Sequence, residues 1–183
     1  MTTANLRGVN EIVVTAVGAD RPGIVAALTG ALLDIGGNLE ETRAALLRGS
    51  FATVLAVAVP DGVGVAEVEA ALAPIAADLG LGIWVGPAAP KAPAGALPRA
   101  VLSVYGADRP GIVHGMAVAL AAEGANIVDL SARLVGDPPI YVLGIELELP
   151  AGMTVEHLER SLERVAEDHG VELKLEAEAD EVM

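Results

Sequence analysis

The eight residues GADRPGIV occur twice in the chain, at residues 18–25 and again at residues 106–113. Each copy places an acidic side chain, Asp20 or Asp108, beside a proline and two glycines. We expect a strand-to-helix turn here, with the Asp at or next to the helix N-cap. The unpaired N–H groups and positive dipole end of a helix start can bind a small carboxylate, and the Asp could hold an ammonium group. A free amino acid carries both charges. The alternative is that the loop is only a stable strand-to-helix turn, repeated because it folds well.

The repeated loop supplies the first set of candidate ligand-binding residues. Pro22 and Pro110 are expected in the first helical turn, where a missing N–H costs least. Gly23 and Gly111 remove a side chain where backbone amides are unpaired. The candidate loop residues are Gly18, Ala19, Asp20 and Gly23 in the first copy and Gly106, Ala107, Asp108 and Gly111 in the second.

The repeat extends far beyond the loop, so the chain contains an internal duplication at the scale of a domain. An offset of 88 positions aligns the two loops and the glycines that follow the next helix, and GDPPIY then inserts two residues, which makes the offset 90. A Pro/Ala/Gly stretch without periodicity separates the copies and is typical of a linker. The predicted organisation is a tail at 1–10, domains at 11–86 and 99–176, a linker at 87–98, and an acidic tail at 177–183.

Within each copy, hydrophobic periodicity predicts the order β-α-β-β-α-β. This order is that of the ferredoxin-like fold, an α+β arrangement in which a four-stranded antiparallel sheet carries two helices on one face. The second helix of the first copy contains Pro74, which we expect to kink or shorten it. Two such domains account for nearly the whole chain.

Composition excludes several classes of function. A net charge of -14 and a pI near 4.4 speak against direct contact with nucleic acid, and the low aromatic content offers no platform for stacking bases. No apolar run could span a membrane, and the absence of cysteine and of a signal segment favours the cytoplasm. Three scattered histidines form no catalytic or metal-binding pattern, so we expect no enzyme activity, metal or cofactor.

A strand, then DRPGI, then a helix that ends in GGN or GAN before the next strand resembles the ACT domain in both copies. This resemblance implies a module that binds amino acids and regulates enzymes or transcription. Two such domains with little else, together with NLEETRAALLRGSF, resemble the family of glycine cleavage system transcriptional repressors.

The resemblance adds two asparagines to the candidate site. In serine-binding ACT domains, loop residues and an Asn that opens the second strand hold the ligand at an interface between domains, and these positions correspond here to Asp20, Asp108, Asn38 and Asn126. Both asparagines follow a helix-ending glycine, so they could instead serve only as turn residues. The serine-binding members carry a His where this chain has Gly18 and Gly106, which departs from their pattern.

Other polar residues near the loop are expected to have structural roles. Arg21 and Arg109 should be solvated or paired with a carboxylate, and His114 is a lone histidine on a helix. The sequence therefore predicts a sensor that binds a small amino acid, acts through a protein partner such as a transcription regulator or metabolic enzyme, and forms a homodimer. The alternative is an accessory or structural subunit of an amino-acid-metabolism enzyme that does no sensing of its own.

The charge balance gives a first prediction. Purified protein should produce no mobility shift of DNA at moderate salt, because only 11 Lys and Arg residues oppose 25 Asp and Glu residues. An electrophoretic shift that weakens with added salt and needs no protein partner would contradict this expectation.

Overall fold

The structure is a computed structural model that describes residues 9–89 and 97–178. Most of the predicted N-terminal tail, most of the predicted linker and most of the acidic tail lie outside these residues, and the predicted domain boundaries remain a prediction. The chain divides into two compact units between residues 92 and 93. Each unit is described separately below.

The first unit contains four strands and two helices in the predicted order. Its sheet has the strand order β2-β3-β1-β4, and every neighbouring pair is antiparallel. The elements are β1 (Val9–Ala19), α1 (Ile24–Asp34), β2 (Asn38–Leu47), β3 (Ser50–Pro60), α2 (Val65–Leu79) and β4 (Gly82–Pro87).

The second unit repeats this topology with the strand order β6-β7-β5-β8. The predicted fold class is therefore confirmed as two α+β units of the βαββαβ type. The elements are β5 (Arg99–Gly106), α3 (Ile112–Ala122), β6 (Asn126–Val135), β7 (Ile140–Glu148), α4 (Val155–His169) and β8 (Val171–Ala177).

Alternation along the strands builds one core in each unit. In β1 the buried side chains Ile12, Val14 and Ala16 face the helices, where they pack with Leu28 of α1 and Leu72 of α2. Their neighbours along β1 point to the opposite face of the sheet, because successive strand residues alternate in direction. Each sheet thus has one face packed against two helices and one open face.

The open face of the first sheet carries the only tryptophan of the chain. Trp84 of β4 lies opposite Thr15 of β1, its ring packs over Gly86, and its side chain remains 57% exposed. Val17 and Val54 are about half exposed on the same face. This open face is apolar but not covered by the unit's own helices.

Pro74 was expected to kink or shorten the second helix; the shortening does not occur, and the kink stays a prediction. Helix α2 contains Pro74 and still spans 15 residues, the same length as α4. Proline removes one backbone donor, which leaves the carbonyl of Ala70 without its usual helical partner. Ala70 and Pro74 are both exposed, so water can satisfy that carbonyl and the helix continues.

The two-residue insertion found in the sequence lies in a hairpin turn. Strands β2 and β3 are joined by Arg48 and Gly49, both of which have positive φ, as a type I′ turn requires. Strands β6 and β7 are joined by residues 136–139, because Val135 pairs with Ile140. The duplicated units therefore differ at this end of the sheet.

The start of α1 differs from the expected arrangement. Its N-cap is Gly23, with φ 97° and ψ −10°, so Pro22 precedes the helix and does not lie in its first turn. Pro followed by a glycine of positive φ is the combination that a type II turn requires, and this turn delays the helix. Gly111 repeats the geometry before α3, with φ 98°, and Pro110 precedes it in the same way.

Among the described residues, none of the four helices has both the length and the apolar character needed to cross a membrane.

Two glycine substitutions in this region should have opposite effects on stability. Gly23→Ala should destabilise the unit by about 1–2 kcal/mol, because an L-residue is strained at this φ although space around it is open. Gly30→Ala, inside α1 and also in open space, should stabilise by about 0.5–1 kcal/mol. Calorimetric melting should show the first variant below wild type and the second above it; two shifts of the same sign would contradict the assigned φ.

Candidate functional site

The first helix of each unit begins without a side-chain cap. Within the described part of the chain, no side chain accepts a hydrogen bond from the first-turn amides of α1 or α3, and neither first turn contains an acidic residue. The second helices differ, because Thr154 accepts from His157 N at 3.2 Å and Glu67 accepts from Gly64 N at 2.9 Å. The amides that follow the repeated loop are therefore the ones left available to an external anion.

The two loop aspartates lie three residues before the helix N-caps, so the expected position at or next to the cap was wrong. The Pro-Gly turn occupies the intervening residues. Asp20 is exposed, and its backbone N–H donates to Gly49 O of the β2–β3 turn at 2.9 Å. Asp108 is also exposed. Both carboxylates can thus interact with a ligand in solution rather than with the helix.

Gly18 and Gly106 face the helix-covered side of the sheet, where there is no room for a side chain. A Cβ at Gly18 would lie 2.6 Å from Leu81 Cδ2, and one at Gly106 would lie 2.8 Å from Val171 Cγ1. A histidine at these positions, as in serine-binding ACT domains, would require Leu81 or Val171 to shift. Ala19 ends β1, whereas Ala107 follows the end of β5.

The loop arginines hold the loops to the second helices. Arg21 donates through Nη2 to the carbonyl of Leu79, the last residue of α2, and Arg109 donates through Nη1 to the carbonyl of His169, the last residue of α4, at 3.1 Å. Both arginines are exposed, in agreement with the first of the two expected alternatives, and their partners are backbone carbonyls rather than carboxylates. A cation at the C-terminal end of a helix is favoured by the helix dipole.

The two asparagines lie at the other end of each sheet. Asn38 pairs with Ala58, which in turn pairs with Glu11, and Gly18 lies seven residues further along β1. At about 3.3 Å per strand residue, more than 20 Å separates Asn38 from the loop of its own unit. Asn126 has the same placement relative to Gly106. One unit alone therefore does not bring its loop and its asparagine together.

The surroundings of the two asparagines also differ. Asn126 Nδ2 lies 3.5 Å from Glu148 Oε2, and Glu148 also pairs with Arg99 at 3.3 Å. In the first unit Ala58 takes the place of Glu148. Asn38 is exposed and makes no side-chain hydrogen bond among the residues that the structure describes.

Two residues next to the second loop were missed by the sequence analysis. Tyr141 pairs with Gly106 in the sheet, and burial raises the pKa of its hydroxyl, with the nearby Asp108 carboxylate acting in the same direction. The ring of His169 is oriented by a 2.9 Å contact between Nδ1 and Val165 O, and its Nε2 lies 3.2 Å from where a Cβ of Gly111 would be.

The corresponding residues of the first unit are Phe51 and Leu79. Two loops of identical sequence therefore have different neighbours, polar in the second unit and apolar in the first. Comparison of the two copies at the offset of 90 positions would have found both differences.

The sequence pattern of the ACT domain matches residues 10–85 and 99–176. These two matches cover most of the chain and coincide with its two units. The chain belongs to the ACT domain family. ACT domains typically bind amino acids and act in regulation, commonly in oligomers or with protein partners.

Relatives of the ACT units are found both as single and as tandem domains. A UPF0237 protein of Methanopyrus kandleri is 39% identical over 80 residues, which are 44% of this chain and 88% of the relative. A UPF0237 protein of Methanocaldococcus jannaschii is 32% identical over 80 residues, which are again 44% of this chain and 88% of the relative.

Two solved structures match both ACT units together. A protein of unknown function from Galdieria sulphuraria is 30% identical, with a TM-score of 0.81 over 93% of this chain and 99% of that one. Another, whose name proposes that it is a glycine cleavage system transcriptional repressor, is 19% identical, with a TM-score of 0.74 over 94% and 99% of the two chains. At that identity the second likeness supports the fold alone.

No group of three or more His, Asp and Glu side chains that could hold a metal ion occurs within residues 9–89 and 97–178. The polar groups of the two loops are instead single carboxylates beside unpaired amides.

The neighbourhood of Tyr141 can be tested by titration. In a Tyr105→Phe background, Tyr141 is the only tyrosine, so its absorbance change with pH reports its pKa alone. Asp108→Asn should lower that pKa, because it removes a negative charge that opposes ionisation. Asp20→Asn should leave it unchanged, because its loop faces Phe51. Equal titration curves for the Tyr105→Phe parent and its Asp108→Asn variant would show that the two side chains do not interact.

Proposed function

We propose that this protein is an amino-acid-sensing regulator that binds a small amino acid at its repeated loops and alters the affinity of a protein partner. The observation that carries the proposal is the set of first-turn amides of α1 and α3, which have no side-chain cap among the described residues and follow an exposed aspartate in both units. Such amides favour a carboxylate, and the aspartate favours an ammonium group. An α-amino acid presents both charges on adjacent atoms.

The asparagines complete the proposed sites. An Asn side chain offers a donor and an acceptor, and therefore suits a zwitterion. Because Asn38 and Asn126 are more than 20 Å from the loops of their own units, a site that uses both features takes its loop from one ACT unit and its asparagine from another. The proposed pairs are residues 18–23 with Asn126, and residues 106–111 with Asn38.

Regulation would follow from differential binding. A ligand that contacts two ACT units stabilises the arrangement in which both sets of contacts form, and it changes partner affinity only to the extent that it favours that arrangement. The exposed Val17, Val54 and Trp84 on the open sheet face give an apolar surface on which a second copy of the chain could pack to form a homodimer.

We infer a cytoplasmic role in transcription regulation or in control of a metabolic enzyme. The support is the family's regulatory character and a full-length structural relative whose name proposes repression of the glycine cleavage system. The acidic charge favours action through a protein partner rather than through direct DNA contact. A structural subunit that binds no amino acid is the competing function.

Thermal-shift screening against the twenty amino acids separates these functions. A ligand that binds the folded state raises stability by RT ln(1 + [L]/Kd), whereas a purely structural subunit shows no shift with any of them. The amino acid that gives the largest shift then serves as the probe for calorimetry.

Substitution of the asparagines tests the proposed sites directly. Asn38→Ala and Asn126→Ala should each weaken one site about ten- to a hundredfold, because each loses a hydrogen bond to a charged ligand worth about 1.5–3 kcal/mol. The double variant should lose the thermal shift. Asn10→Ala is the control for the loss of an asparagine side chain, because Asn10 Nδ2 donates to Val63 O and is not one of the proposed ligand-binding residues. Full affinity at two sites in a folded double variant would make the asparagines turn residues only.

A further inference from the structure

The second unit contains a groove between its two helices that lies outside the proposed loop sites. Its volume is ≈ 450 Å³, within the range of small-molecule pockets. We call it the α3–α4 groove. Its lining residues are His114, Gly115, Val118, Ala119, Ala122, Glu123, Ser161, Arg164, Val165, Asp168 and His169.

Small residues on α3 create this groove. Gly115, Ala119 and Ala122 follow one face of the helix at helical spacing, so α3 presents little side-chain bulk there. A Cβ on Gly115 would lie 2.9 Å from Val165 Cγ1 and 3.0 Å from His169 Cε1, so the helices approach closely at this point. The floor of the groove is therefore aliphatic, with Val165 and the 55% exposed Val118 as its larger side chains.

The polar groups at one end of the groove already have partners. Glu123 lies 3.3 Å from His157 Nε2, and hydrogen bonding with Ser161, together with His157, lowers the pKa of its carboxyl group. The polar groups at this end are paired with one another and offer little to a ligand.

The middle and the other end of the groove have polar side chains that lack a partner. Within the part of the chain that the structure describes, Arg164, Asp168 and His114 make no side-chain hydrogen bond or ion pair. Arg164 and Asp168 are four residues apart on α4, a spacing at which opposite charges usually interact. They form no ion pair with each other, and both line the groove. An exposed cation and an exposed anion thus line the groove about one helical turn apart on α4.

The first unit lacks most of these polar groups. At the offsets of the duplication, His114, Ser161, Arg164 and His169 correspond to Ala26, Ala71, Pro74 and Leu79, and only Asp168 keeps its counterpart, Asp78. The helical face of the second unit is therefore chemically distinct, although the two units share one fold.

We propose that the α3–α4 groove is a binding site for an aliphatic α-amino acid, separate from the repeated loops. Arg164 binds the carboxylate and Asp168 binds the ammonium group, while His114 lines the same groove from α3. The aliphatic side chain packs on Val118, Ala119 and Val165. The site does not depend on the proposed function of the loops, and the first unit cannot form it because Pro74 has no charge to offer.

L-leucine is the probe for this site. Titration of wild-type protein, followed by calorimetry and by the methyl NMR signals of Val118 and Val165, should show saturable binding with shifts at both residues. Arg164→Ala should weaken binding at least tenfold, and His114→Ala, which installs the first unit's residue, should weaken it less. Leucinamide lacks the carboxylate and 4-methylpentanoate lacks the ammonium group, so each should bind at least tenfold more weakly than leucine.

Arg160→Ala is the matched control, because Arg160 is on the same helix but donates to Glu156 O and does not line the groove. Equal losses in the Arg160 and Arg164 variants would reduce the effect to net charge and overturn the proposal. Absence of leucine binding by wild type at millimolar leucine concentrations would also overturn the proposal.

The double variant Asn38→Ala/Asn126→Ala distinguishes the groove from the loops. Leucine binding should persist in this variant, because neither asparagine lines the groove. Loss of leucine binding there would place leucine at the loop sites and overturn the groove proposal while supporting the proposed function. If leucine binding is retained in the double variant, and no amino acid loses affinity when the asparagines are replaced, the groove proposal is supported and the proposed function of the loops is contradicted.

Discussion

The conformation of one glycine per unit governs the region on which function is proposed to rest. Gly23 and Gly111 have φ values of 97° and 98°, which an L-residue with a side chain rarely adopts. Each follows a proline whose ring fixes its own φ, so the chain turns sharply and the helix starts only afterwards. Because the turn separates the loop aspartate from the helix, the aspartate does not cap it. The first-turn amides therefore have no side-chain partner among the described residues.

The loop arginine makes the same turn part of the unit's scaffold. Arg21 and Arg109 donate to the terminal carbonyls of α2 and α4, and Gly80 and Gly170 end those helices in the left-handed conformation. A hydrogen bond from a charged donor satisfies a carbonyl that would otherwise face water alone. The loop is thus held to the second helix while its first-turn amides have no side-chain cap among the described residues, so a rigid loop and free amides are compatible.

Fold and topology could be predicted from the sequence because they follow from periodicity and from the duplication, which repeats every element at a fixed offset. The details of the loop could not. The N-cap position depends on the backbone conformation of Gly23, and Pro74 was tolerated because Ala70 is exposed, which periodicity alone does not show. Tyr141 and His169 reach the second loop through strand register and a helix end, so only three-dimensional pairing brings them there. The site residues themselves remain predictions, because no ligand contact tests them.

Trp84 makes the two halves optically distinguishable. It is the only tryptophan, it belongs to the first unit, and its 57% exposure on the open sheet face makes its emission sensitive to anything that covers that face. Both tyrosines, Tyr105 and Tyr141, belong to the second unit. Excitation at the red edge, where only tryptophan absorbs, therefore reports the first half alone, whereas the absorbance change on tyrosine ionisation reports the second. Each half can thus be followed in the intact chain without an added label.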